Sequence, residues 1–395
     1  MNFSALRNSF VALPLHPLYL FTLAFMLGII WQQSGYWSFL FLIIFALVLL
    51  FGAKFQAQWG ARGLKIVSLF AAFGFFALGA LRVQQEEASF DQFFRSVLYK
   101  KCIVTAEVKD LEPDYRREGY CLLTLAIQKL DDGKKLIHLT HPYNFQFSLK
   151  NDALINGKKL PEPGDILLIK TLYFRPPPEG GYRTYLVKER LVGQIQYSYA
   201  EITLLSHPQW SWRRFLFERR NAIIDGVRPH LEPLTFTLFA SVFLGKKTVD
   251  AGDMSSIRDQ FRPWGILHYL ARSGLHLMIL VMLLNKVLSF FPIPFGVRNM
   301  LVILLLLIYL LVSWASISFL RAAILSFLYS ICVILQLQIH ALYLLVLTCF
   351  LVLLVNPLQL FFLDFQLSFL LTFVLAWLSA LKRSQKPLLS NKSVN

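Results

Sequence analysis

Residues 267–284 read LHYLARSGLHLMILVMLL. The stretch opens on His268, Arg272, Ser273, Gly274 and His276 and is then wholly apolar to Leu284. A helix that is apolar all round belongs in a large core or a bilayer, not on a soluble surface. Similar runs cover residues 15–31, 37–53 and 64–81, and further candidate spans lie at 266–285, 300–317, 320–336, 340–355 and 358–380. About 18 or more apolar residues match the thickness of the hydrocarbon layer. The composition agrees: 56% of the 395 residues are apolar, 36 are Phe, and 16% are charged, where a soluble domain is about one quarter charged. The chain reads as a polytopic α-helical membrane protein, and the soluble globular classes are excluded.

Residues 82–210 break this pattern. Apolar and polar positions alternate through KCIVTAEVKDLE, YCLLTLAIQKL, KKLIHLTH and GDILLIKTLYF, and DDGK, NGKK and PEPGD supply the turns. Short strands with tight connections follow from that period. Four or five strands form a small barrel or sandwich, and an oligonucleotide-binding-type β-barrel fits. PPPEGG at 176–181 stiffens the exit. If this domain lies outside the cytoplasm, Cys102 and Cys121 can bridge neighbouring strands; two free thiols are the alternative.

Charge sets the orientation. From Arg82 to Glu201 there are 18 Lys/Arg and 16 Asp/Glu, a balance of +2, so +14 of the total +16 lies elsewhere. The loop before the third run holds Lys54, Arg62 and Lys65 without an acid, and the tail holds Lys382, Arg383, Lys386 and Lys392. Basic loops stay cytoplasmic. About three spans then export the β domain, and about five more return the tail to the cytoplasm. The expected divisions are an N-terminal membrane region at 1–81, a soluble β domain at 82–210, a multi-span region at 211–381 and a basic tail at 382–395. WSWRRFLFERRNAIIDGV at 210–227 mixes aromatic and basic residues as an interfacial helix does. LTFTLFASVFLG at 234–245 is short, so it is re-entrant or packed within the protein. Anionic lipids are expected partners of the basic loops.

The polar residues at membrane depth are few. His268, Arg272 and His276 recur every four residues along one side of a helix. A capped helix entry, a metal site and an aqueous path all accommodate them. No third ligand sits at metal spacing, there is no CxxC and no nucleotide-binding loop, so neither metal nor cofactor is expected. The N-terminus carries no signal-peptide pattern. Arg321 either snorkels, pairs with Asp364 or faces a pore. Gln366 and Ser368 lie about 200° apart on their helix, so at most one faces a common cavity. In the β domain, Lys100, Lys101, Lys134, Lys135, Lys158 and Lys159 are candidate phosphate contacts, although such runs also serve as solvated faces.

Three ordered motifs carry a resemblance. His268, Ala271, Ser273, Gly274, Leu275 and His276 spell His-x-x-Ala-x-Ser-Gly-Leu-His; Arg321 and Ala322 open a later helix; Asn356-Pro357 precedes DFQLSF at 364–369. This set resembles the ComEC/Rec2 family of competence channels. The front end is similar as well, with spans, a small β domain and then a multi-span region. Arg272 departs from the apolar residue usual before Ser-Gly, and WASISFL replaces a Gly-rich segment before Arg321.

The resemblance implies a non-enzymatic channel component that conducts single-stranded DNA across the cytoplasmic membrane during transformation. Its channel-lining or helix-break candidates are His268, Arg272, Ser273, Gly274, His276, Arg321, Asp364, Gln366 and Ser368. Many members continue into a metallo-β-lactamase-like domain, and no His-x-His-x-Asp-His run occurs here. Nuclease activity is then absent or supplied by a separate chain, and an ATP-driven motor is expected from the cytoplasm. A homo-oligomer is open to such a protein. A transporter of another solute or polymer, and a membrane scaffold, are the rival functions.

Overall fold

The computed structural model describes residues 17–34, 62–98, 100–113, 119–131, 136–137, 142–150, 160–196, 201–245, 262–264, 274–313, 317–337 and 340–390. The chain divides into two compact units, one of residues 1–85, 285–303 and 320–395, the other of 86–284 and 304–319.

The first unit is helical. It contains α1 (Pro17–Ser34) and the first part of α2 (Arg62–Val97). Ala24 and Leu27 of α1 pack on Ala72 and Phe76 of α2. Gly28 and Gly79 let the two backbones touch, because a Cβ on either would overlap main-chain atoms of the other helix. Small residues at a crossing let two helix backbones approach this closely. Phe25 and Phe75 meet Phe350 edge-on at 5.4 and 5.5 Å. Arg82 of α2 donates to the carbonyls of Leu354 and Val355 at 3.3 and 3.4 Å. These are orphan acceptors at the end of a helix, and a cation there also meets the negative end of the dipole.

The second unit holds the sheet. Its strands are β1 (Cys102–Pro113), β2 (Tyr120–Asp131), β3 (Leu136–Ile137), β4 (Asn144–Lys150), β5 (Ile166–Leu172), β6 (Leu191–Gln196) and β7 (Glu201–Ser206). The pairing order is β6-β4-β2-β1-β5-β7, with β3 on β2. All pairs are antiparallel except β4 with β6. Val104, Ala106 and Val108 alternate inward from β1, as a half-buried strand requires.

In place of the expected small barrel or sandwich, the strands form one mixed, curled sheet whose end strands, β6 and β7, are not paired with each other among the described residues. They are successive in the chain, with β6 ending at Gln196 and β7 starting at Glu201. Such a link reaches at most about 18 Å, whereas six flat strands hold their edges about 24 Å apart.

Of the two readings of Cys102 and Cys121, a bridge or two thiols, the structure has the two thiols. Cys102 begins β1, and Cys121 pairs with Pro113 at the far end of the same ladder. Some ten rungs put them about 30 Å apart, and a disulfide needs Cα atoms within about 7 Å.

Two helices cover the sheet. α2 runs beyond the expected boundary at 81 to Val97 and buries Phe90, Phe93, Phe94 and Val97. Phe93 lies 5.2 Å from Tyr143 and 5.4 Å from Phe174. α3 (Gly181–Glu189), absent from the sequence expectation, buries Leu186 and Val187. It ends at Arg190, a non-glycine residue in the left-handed region (φ 52°), whose guanidinium meets Glu86 at 2.8 Å. Glu86 and Asp91 then clasp Arg190 and Arg183.

α4 (Trp212–Val227) leads to α5 (Pro233–Phe239), which continues as a π-turn over Ala240–Leu244. Ile224, Phe236 and Leu244 form their shared core, so the short apolar segment packs within its own unit.

The remaining helices are α6 (Gly274–Leu288), α7 (Phe295–Val312), α8 (Ile317–Ile334), α9 (Ala341–Val355) and α10 (Leu363–Ser390), with a 3₁₀ turn at Pro357–Phe361. Among the described residues α7 is long and apolar enough to cross a membrane, and only 17% of it is buried in the protein. A core helix of a soluble protein would be mostly covered. Six shorter apolar helices accompany it: 17–33, 233–244, 274–288, 318–334, 341–355 and 363–379.

Candidate functional site

Arg321 is the centre of the polar inventory in the helical unit. It sits one turn into α8 and is 4% exposed. Its Nη2 donates to the main-chain carbonyl of Asp364 at 2.7 Å. The guanidinium carbon lies 5.6 Å from the Phe365 ring centroid and 5.3 Å from that of Phe369. Those rings are four residues apart on α10, 4.5 Å from each other, and present adjacent faces to the cation. A cation held over two faces and bonded to a carbonyl is neither a snorkelling side chain nor a group open to a wide cavity. The sequence offered pairing with Asp364 as one of three readings of Arg321; the structure bonds it to the main-chain carbonyl of Asp364 and adds the two rings. Their signal was the i, i+4 aromatic spacing in DFQLSF.

The start of α10 is fastened further. Gln366 Nε2 donates to Leu360 O at 2.9 Å, tying the helix to the preceding 3₁₀ turn. Ser368 accepts from Thr372 Oγ1 through its carbonyl at 2.7 Å. Gln359 is 6% exposed, and its Oε1 has no hydrogen-bond partner among the described residues. The side chain of Asp364 is exposed.

Of the motif at 268–276, Gly274 opens α6 and His276 lies in its first turn, half-buried. His268, Arg272 and Ser273 lie outside the described residues, as do Lys134, Lys135, Lys158 and Lys159. Lys100 and Lys101 are exposed just before β1. Among the described residues no three His, Cys, Asp or Glu side chains converge as a metal set.

A polar cluster in the sheet unit escaped the sequence reading. Asp165, 2% exposed, accepts from Arg214 Nη2 at 2.5 Å and meets His207 Nδ1 at 2.7 Å through Oδ1. Its Oδ2 accepts from the Glu162 N–H at 2.9 Å. Arg214 also meets Glu162 at 3.2 Å and donates to Pro208 O at 2.8 Å. Gly164 must be a glycine here: its φ is +93°, and a Cβ would overlap Ser211 Oγ. The cluster joins the entry to β5, the exit from β7 and the start of α4. Its sequence signals, PEPGD and HPQWSWRR, lie some forty residues apart, and only the β5–β7 register brings them together.

Residues 251–394 match the family model described as "Competence protein". The chain is 27% identical over 218 residues to ComE operon protein 3 of Bacillus subtilis (strain 168). That match covers 54% of this chain and 27% of the relative, so the chain aligns with about a quarter of the relative's length. No solved structure matches. The region similar to the competence family, residues 251–394, contains Arg321 and its aromatic clamp together with the Asn-Pro and DFQLSF motifs.

Proposed function

We propose that this protein is a channel component that moves single-stranded DNA across the cytoplasmic membrane during DNA uptake. The observation that carries the reading is the competence-family match over 251–394, the region of α6–α10. A strand with one charge per nucleotide cannot cross hydrocarbon bare and needs a hydrated path. In this reading the path runs by the start of α6, where Gly274 and His276 continue the motif from residue 268. Arg321 then acts as an architectural lock on α10, because its charge is already engaged by Asp364 O and two rings. The sheet unit lies outside and receives the strand; its pairing order supports an oligonucleotide-binding type of domain, which is a partly open barrel. A cytoplasmic ATP-driven motor supplies the work in this reading.

Uptake in the native host tests this. Deleting the gene and supplying labelled duplex DNA should abolish nuclease-protected label and transformants, and the full chain should restore both. Normal uptake in the deletion strain would remove DNA as the cargo and favour another polymer.

A further inference from the structure

α4 is held at two points. At its start, Arg214 is locked to Asp165 of the sheet unit. In its middle, Arg220 reaches the end of α7: Nε donates to Val312 O at 2.9 Å, and Nη2 to Leu311 O at 3.0 Å and Ser313 O at 3.5 Å. Tyr309 of α7 adds a bond from its hydroxyl to Phe243 O at 2.6 Å. The last carbonyls of a helix have no partner within it, and a guanidinium satisfies them while meeting the negative end of the dipole. α7 is the helix whose length, apolarity and exposure fit a span. Arg220 therefore sets α4 at the level where that span ends.

The rest of α4 is asymmetric. Trp212, Phe215, Arg219, Ala222, Ile223 and Gly226 are all exposed. At 3.6 residues per turn they share an arc of about 100°. Arg214 and Ile224 are buried on the other side. The exposed acids Glu218 and Asp225 fall beside the arc, not within it. Trp212 stacks on Phe215 at 5.5 Å, and Arg219 lies 5.1 Å over the same Phe215 ring. Trp210, 72% exposed, extends the aromatic run. Rings with a cation among them, at the end of a span and with carboxylates turned aside, match the chemistry of the headgroup boundary.

We propose that this arc of α4 is a phospholipid-binding surface, lying in the headgroup region with Trp212 and Phe215 below the phosphates and Arg219 against them. The inference rests on α7 spanning the bilayer and is independent of what the channel carries.

Full-length protein in phosphatidylcholine nanodiscs provides the test. Half-buried Cys121 and Cys332 are replaced, and single spin labels are placed through Phe215→Cys, Ala222→Cys, Glu218→Cys, Asp225→Cys and Leu304→Cys. Collision with oxygen, which concentrates in lipid, is compared with collision with a water-soluble nickel chelate. Labels at 215 and 222 should show an oxygen-to-nickel ratio about threefold or more above those at 218 and 225, approaching the label at 304. Equal ratios at all four α4 sites, with 304 still lipid-accessible, would overturn the proposal alone. Nickel access at 304 as well would overturn the spanning of α7 with it.

Discussion

Gly28 of α1 and Gly79 of α2 each lie against the other helix's main chain: a Cβ on Gly28 would overlap Phe76 O, and one on Gly79 would overlap Phe25 O. The obstacle on both sides is backbone, which cannot swing aside as a side chain does. Gly79→Ala should therefore cost about 1–3 kcal/mol through overpacking, and Gly79→Leu should abolish the monodisperse peak in detergent chromatography. A Leu variant as stable as the parent would show that the two helices do not cross there.

Arg321→Ala removes a charge-assisted bond worth about 1.5–3 kcal/mol and the cation over two rings. Asp364→Ala keeps the carbonyl that Arg321 uses. The first substitution should lower the melting temperature in detergent clearly more than the second. Arg321→Lys should recover only part of the loss, since an ammonium lacks the planar fork. Equal losses from Arg321→Ala and Asp364→Ala would instead place the interaction at the carboxylate.

Arg214→Ala leaves Asp165, which is 2% exposed, with a buried charge and one fewer partner. Breaking a buried pair from one side costs about 3–5 kcal/mol. The double variant Arg214→Ala/Asp165→Ala should regain part of that loss in thermal unfolding. Strictly additive losses would count against the pairing.

Tyr143 titrates high, pushed up to about 12 first by burial and then by the nearby Glu86 carboxylate. The folded state favours the neutral phenol, so its contribution is complete below the unfolded value near 10 and fades as pH rises through about 12. Tyr143→Phe should flatten alkaline destabilisation across that window. An unchanged alkaline profile would assign the loss to other groups.

Because Cys102 and Cys121 sit at opposite ends of the β1–β2 ladder, oxidised protein should run at the same position on a gel with or without reductant. A faster band that reductant removes would contradict the register.

The apolar helices were readable because their signal is length and hydropathy, which no tertiary context overrides. The strands were readable from a period of two. The helical extension of α2 was written in the spacing of Val83, Phe90, Phe93, Phe94 and Val97, yet its charged residues masked it beside an apolar run. α3 escaped because PPPEGG looks like the end of order, while Leu186 and Val187 reveal their purpose only once the sheet gives them a floor. Openness of the sheet was illegible for another reason: closure depends on strand order, and order is set by the register of β1 with β5 across more than fifty residues. The same distance hid the Asp165–Arg214 pair. Arg321, by contrast, was legible as costly before its partners were known, since an arginine in apolar sequence demands some compensation.

The strand order has a consequence for biosynthesis. β1 is among the first strands made, and it takes β2 as a neighbour almost at once, but its other edge waits for β5, whose own far edge waits for β7. Until Ser206 has emerged, a nascent chain carries a growing β-ribbon with one side unsatisfied. Pairing across such separations is slow, and open strand edges invite aggregation. Synthesis paused between Gln196 and Glu201 would leave β5 with one unpaired edge, so the interval in which this chain is vulnerable to misassembly is set by the time taken to deliver the 34 residues from the end of β5 at Leu172 to Ser206.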